Sequence, residues 1–300
     1  MADTTGSRSV AVVGVGAIGG LLGATLDAES AHKVLLCARQ PIGGVAVERP
    51  DGGVLRTHPL VMTDTRFVER CDVVLLATKA YQSAGARPWL DALVGPDTVV
   101  AVCQNGIDQV ERITPLVPQA RAVVPVVVMA AAERVVPGYI RQNGKGLLEL
   151  PASDAGREVA GLFTGTGLRA DAVEDFTTRA WTKLLINAVV GAIGALTVRD
   201  LGVLAEPAIA EQALALAAEV VAVGRAEGAA FDAETAERAM ARALRGAPGH
   251  WSSITVDRRE GRPLEWEVRN AVIGRLGRRH GIATPLNDLV TALLAAASPA

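Results

Sequence analysis

The sequence predicts an α/β N-terminal domain built on a mostly parallel sheet, followed by an all-α C-terminal domain. Three observations carry this. Short β-branched apolar runs alternate with helical patterns through the first 110 residues, the rhythm of β-α units and a parallel sheet. A glycine-rich turn joins the first strand to the first helix. After about residue 170 the strand runs give way to Ala-rich helical stretches. A chain of 300 residues is long for one core, and each part is large enough to bury its own. The division is expected at 1–169 and 170–300.

The first strand is Ser9–Val13 (SVAVV), β-branched and closed by Gly14; from Ala17 the pattern turns helical. Residues 34–37, 72–77 (DVVLLA) and 98–103 (TVVAVC) are further apolar runs. Runs this uniformly apolar suit strands buried on both faces, which makes the sheet doubly wound. Residues 123–129 and 146–150 would extend it, with the Pro137-Gly138 pair marking a turn between them. Helices are expected over 177–197, 206–227, 233–244 and 264–280. Aromatics are 3% of the chain, so Ala, Val and Leu must fill both cores.

Several function classes are disfavoured. A formal net charge of -2 offers no basic surplus for tracking a phosphate backbone, so nucleic acid is not an expected partner. Arginines gather at 258, 259, 262, 275, 278 and 279, but Asp257, Glu260, Glu265 and Glu267 are interleaved with them, the pattern of a solvated helix face. The N-terminal MADTTGSRS has no apolar stretch of the signal-peptide kind. The apolar run 184–198 is shorter than the roughly 20 residues a bilayer needs and contains Asn187. No membrane association is expected. Cys37, Cys71 and Cys103 lack the close pairing of metal or redox motifs, and reduced thiols in a cytoplasmic protein are the simplest reading. The four histidines fall in no triad or ligand spacing, and no metal is expected.

Gly14-Val15-Gly16-Ala17-Ile18-Gly19 is G-x-G-x-x-G, placed between a strand and a helix as the dinucleotide fingerprint requires. The first glycine permits the tight turn, the second admits a pyrophosphate close to the backbone, and the third lets helix pack on strand. With the N–H groups of Ala17 and Ile18 opening the helix, the turn faces anionic phosphates. The N-terminal domain is therefore expected to be Rossmann-like. The second strand ends Cys37-Ala38-Arg39-Gln40, without the acid that would bind the ribose hydroxyls of NAD. Arg39 is instead placed to pair with the 2'-phosphate of NADP.

Ala77-Thr78-Lys79-Ala80-Tyr81-Gln82 and Cys103-Gln104-Asn105-Gly106-Ile107 stand at the carboxyl ends of later strands, where ligands of this fold bind. This pair resembles the V-K-A-x-Q and Q-N-G segments of the ketopantoate reductase family. Trp181-Thr182-Lys183-Leu184-Leu185-Ile186-Asn187 is similar to that family's W-x-K-L-x-x-N element. Ser252-Ser253 ahead of Asp257, then Glu265 followed by Asn270, resemble its S-S-x-x-x-D and E-x-x-x-x-N-G segments, and residues 281–287 close the pattern. The matches run in order along nearly the whole chain.

The resemblance implies an oxidoreductase that reduces a 2-keto acid, 2-dehydropantoate foremost, to the 2-hydroxy acid with NADPH. It implies Lys183 and Glu265 as catalytic residues, Asn105, Asn187 and Ser253 as substrate contacts, and Lys79 and Asn105 at the junction of cofactor and substrate. The chemistry agrees: hydride reduction of a ketone builds charge on its oxygen, which needs a cationic or protic donor such as Lys183. Lys183 and Asn187 are four apart, on one helix face. Glu265 and Glu267 compete for the acid's role, since either could pair with Arg269 or Arg262 on a helix surface. Two positions depart from the family pattern. Gly191 stands where a second substrate-contacting asparagine is usual, and Ala271 where a glycine follows the later asparagine. A dehydrogenase acting on a different keto or hydroxy acid, and a non-catalytic NADPH-binding protein, therefore stay open as alternatives. A homodimer through the apolar helices is a further expectation.

Overall fold

The computed structural model of the chain describes residues 6–245 and 249–299; residues 1–5 of the polar N-terminal segment lie outside them. The chain forms two compact units. One comprises Met1–Gln104 and Gln109–Phe176, the other Asn105–Asp108 and Thr177–Ala300. The expected division at 169/170 falls at the head of a strand, β13 (Arg169–Val173), whose parallel pairing with β12 (Leu147–Pro151) keeps it in the first unit.

The first unit is centred on six parallel strands in the order β5-β2-β1-β6-β7-β8. These are β1 (Ser9–Val13), β2 (Lys33–Cys37), β5 (Leu60–Met62), β6 (Val73–Leu76), β7 (Val99–Val102) and β8 (Ala122–Pro125). β6 and β7 are buried throughout, as uniformly apolar runs demand. The order reverses between β1 and β6, which is where a doubly wound sheet opens to a ligand. A second sheet, order β10-β11-β3-β4, is formed by β10 (Ala132–Val136), β11 (Tyr139–Gln142), β3 (Val45–Glu48) and β4 (Val54–Thr57). Helix α1 (Ala17–Glu29) packs on both sheets. Gly20 lies against Ile140 and Gly23 against Leu36, each too close for an added Cβ without a shift. Small residues thus let one helix serve two sheets.

The segment 123–129 does not continue the parallel sheet as one strand. Pro125 has no N–H to give the ladder and ends β8 opposite Val102; beyond it β9 (Val127–Met129) joins β12 and β13 in a separate three-stranded sheet. The second strand expected to extend the main sheet, at 146–150, is this β12. Shorter helices α2 (Arg87–Leu93), α3 (Gln109–Ile113) and α4 (Asp154–Gly161) complete the unit.

The second unit holds α5 (Phe176–Ile186), α6 (Ala192–Thr197), α7 (Pro207–Ala226), α8 (Thr235–Leu244), α9 (Ser253–Arg259), α10 (Val272–Arg279) and α11 (Pro285–Ala297). Two expected helices each contain a π turn, at Asn187–Gly191 and Glu267–Ala271. The two turns are tied by Asn270, whose Nδ2 donates to the Ala188 carbonyl at 3.0 Å and to Asn287 Oδ1 at 3.1 Å. Single π turns of this kind accompany functional positions. The run from Phe176 to Thr197 is 22 residues of continuous helix, longer than its most apolar part suggested and long enough to cross a bilayer by length and composition. Its Trp181, Leu184, Leu185, Ala188 and Val189 are buried among Leu216, Val220, Val223 and Ile273, which makes it a core helix.

Candidate active site

In the first unit the glycine loop has the geometry that its spacing predicts. Gly14 takes φ +100, and an added Cβ would stand 2.8 Å from the Thr78 N, so both conformation and space demand glycine. A Cβ on Gly19 would collide with the Gly14 carbonyl and lie 3.1 Å from Ala77 Cβ. Gly16 differs: nothing lies within 4 Å of a Cβ built there. It is also the N-cap of α1, with no side chain capping the helix and no acid in its first turn. An open backbone surface beside uncapped N–H groups of Ala17 and Ile18 fits a pyrophosphate.

Around the loop, Gly14 N–H donates to Cys37 O at 3.3 Å, which sets the end of β2 beside the turn. Arg39 follows two residues later and is exposed. Lys79 is half-buried just beyond β6. Gln104 is a clamp that sequence reasoning quoted without a role: its Nε2 donates to Thr78 Oγ1 at 3.0 Å and Ser83 Oγ at 2.9 Å, and Arg112 donates to its Oε1 at 3.0 Å. Cys37 and Cys71 are poor nucleophiles, because burial pushes their thiols up to about 12 and about 11.

In the second unit the structure gathers residues from four places in the chain. Asn105, on the short segment that this unit takes from the loop after β7, donates from Nδ2 to Glu265 Oε2 at 2.8 Å. Asn187, the first residue of its π turn, reaches Asn105 Oδ1 at 3.5 Å, the long end for a hydrogen bond. Lys183 lies one turn earlier on α5, half-buried. Glu265 precedes the helix that begins at Trp266 and is 4% exposed, whereas Glu267 is exposed. Of the two acids, Glu265 is the one that the fold buries.

The residue that sequence reasoning missed is Arg269. Weighed only as a surface partner for either acid, it is instead 1% exposed, with Nη2 at 3.7 Å from Glu265 Oε2 and donating to Ser253 Oγ at 2.8 Å. The π turn is the reason, since it widens the helix where Arg269 sits and changes which residues face inward. Burial pulls its pKa below the ordinary arginine value, against the attraction of Glu265 and Asp257. Asp257, also buried, is held by Arg262 Nε at 2.8 Å. Removing either member of a buried ion pair costs on the order of 3–5 kcal/mol, because the other charge is left uncompensated. The signal in the sequence was the i, i+4 spacing of Glu265 and Arg269 beside apolar Val268.

A nucleotide-type glycine loop on a doubly wound sheet, with a helical unit that buries an acid against an arginine, defines a dinucleotide-dependent oxidoreductase class. The chain belongs to the ketopantoate reductase family. The family model for ketopantoate reductase PanE/ApbA matches residues 10–155 and that for the ketopantoate reductase PanE/ApbA C terminal matches residues 175–298. It is 42% identical to a 2-dehydropantoate 2-reductase of Caulobacter vibrioides over 97% of this chain and 99% of that one. It is 40% identical to the 2-dehydropantoate 2-reductase of Mycobacterium tuberculosis, over 97% and 98%. A solved PanE/ApbA family ketopantoate reductase from Ralstonia eutropha aligns with TM-score 0.86 and 27% identity, covering 96% of this chain and 98% of that one.

Proposed function

We propose that the protein reduces 2-dehydropantoate to pantoate with NADPH. Support comes from the family membership and from two relatives of that name matched over nearly their whole lengths. The observation that carries the assignment of roles is the side-chain chain Asn187–Asn105–Glu265–Arg269–Ser253, which includes four of the residues that the resemblance assigned to the reaction.

The Gly14–Gly19 loop would hold NADPH, with Arg39 to meet its 2'-phosphate and Lys79 nearby, and the bound cofactor would supply the hydride. The protein's own residues do the rest. Lys183 gives its proton, or its charge, to the carbonyl oxygen as negative charge develops there. Glu265 accepts from a substrate hydroxyl, and its second contact with Asn105 fixes which way that amide faces. Asn187 orients the substrate from the helix face of Lys183. Ser253 Oγ accepts from Arg269, which has donors only, so its own hydroxyl proton is left to donate to the substrate carboxylate.

Loss of NADPH absorbance with ketopantoate, run beside a panel of other 2-keto acids, tests this. Oxidation on ketopantoate is the expected result; activity only on other keto acids would overturn the substrate, and tight NADPH binding without any turnover would overturn the enzyme. A cytoplasmic homodimer is part of the same proposal. Helix α7 supports it, since only 39% of its most apolar stretch is buried within the chain; light scattering of the purified protein reads the mass.

A further inference from the structure

Arg269 is buried at a cost that its own contacts do not explain. Only Nη2 has partners, while Nε and Nη1 are buried without any. A structural arginine in a core satisfies more of its five donors than this. Its seat is equally specific. A Cβ added at Gly191 would stand 3.3 Å from Nη1 and 3.2 Å from Ile254 Cγ2, so a side chain at 191 and a guanidinium at this place compete for the same space. The absence of a side chain at Gly191 and the burial of Arg269 therefore go together in this chain.

We propose that Arg269 is a positioning residue for the reduction, seated in the room left by Gly191, where its Nη2 holds Glu265 as a carboxylate and turns the Ser253 hydroxyl outward as a donor. The proposal rests on the reading of Glu265 and Ser253 given above. Glu265 faces Arg269 and the Asn105 amide. Arg269 faces Glu265 and, from α9, Asp257, which Arg262 engages while also pairing with Glu260. Asp108, on the Asn105 segment, is paired with Arg275 at 3.0 Å, and Lys183 lies on α5 one turn from Asn187. Arg269 thus stands beside Glu265 as an arginine partner, and its donation to Ser253 sets the orientation of that hydroxyl. Direct contact of Arg269 with substrate is not required.

The test is steady-state kinetics and NADPH binding for Arg269→Met, Arg269→Lys and Gly191→Ala beside the wild type. Arg269→Met should lower kcat/KM for the keto acid by about a hundredfold or more, leave the NADPH Kd unchanged, and move the acid limb of the pH profile upward, because a buried carboxyl that loses a neighbouring cation holds its proton more firmly. Arg269→Lys should return the acid limb towards wild type while KM stays raised, since one ammonium restores charge but not the fork. Gly191→Ala adds a single methyl against Nη1 and should raise KM severalfold with the fold intact. A wild-type KM in both Arg269→Lys and Gly191→Ala would overturn the proposal, as would an Arg269→Met variant that loses only thermal stability. A wild type that turns over no 2-keto acid would sink the function itself, and this role with it, a result distinct from a working enzyme indifferent to residue 269.

Discussion

The glycine loop of the first unit and the acid–arginine cluster of the second are built on opposite plans. The loop is six consecutive residues whose backbone does the work: Gly14 and Gly19 answer to neighbours that the strand–turn–helix geometry already fixes, and Gly16 faces open space. The cluster is made of side chains from positions as far apart as Asn105 and Glu265, 160 residues in sequence. Its members meet because a loop is handed to the helical unit and because two helices widen into π turns. Sites made of local backbone tolerate no side chain at particular positions; sites made of distant side chains tolerate no change of packing.

Substitutions can break or sharpen that contrast. The largest effect is expected at Lys183→Ala, a loss of turnover on the order of a hundred to ten-thousand-fold with NADPH binding kept; unchanged turnover, measured under saturating cofactor, would remove Lys183 from the reaction. Next comes a pair within the loop. Gly19→Ala should cost both folding and cofactor binding, since its methyl meets the Gly14 carbonyl, whereas Gly16→Ala enters open space and should weaken NADPH binding with the melting temperature unchanged. Equal effects of the two on Tm and on Kd would end the claim that the glycines have separate jobs.

A smaller effect is expected for Arg39→Ala, which should erode the preference for NADPH over NADH by about tenfold. An intact preference, measured as the ratio of the two kcat/KM values, would mean that another group reads the phosphate. The smallest concerns Asp72 at the head of β6. Burial alone would raise its carboxyl, but the Ser9 N–H and hydroxyl, with Arg8 behind them, outweigh it and hold the pKa below the usual range. A depressed folded-state pKa contributes stability that is present above the unfolded value of about 4 and lost as pH falls through the folded one. The urea midpoint should therefore drop with acid over that window, and Asp72→Asn should flatten the drop slightly.

Much of the fold was legible because its signals are local. Apolar runs gave β1, β6 and β7, and the fingerprint glycines located the first turn. What local pattern could not supply is instructive at single residues. Pro125 sits inside a run that reads as one strand, and only the ladder to Val102 shows that it ends β8 there. Glu265 and Glu267 are alike by composition and separated only by burial. Arg269 reads as an exposed partner on a regular helix, and a regular helix is what the sequence periodicity assumes.

By itself the sequence determined the strands β1, β2, β6 and β7, the glycine turn after β1, the helical second half and the family, because periodicity and glycine spacing act over a few residues and any backbone that obeys them must build those pieces. The tertiary structure alone decided which acid is buried, that Arg269 joins it, and that Gly191 makes the room. Those outcomes depend on volume filled by residues remote in the chain and on a widening of the helix that no local preference encodes.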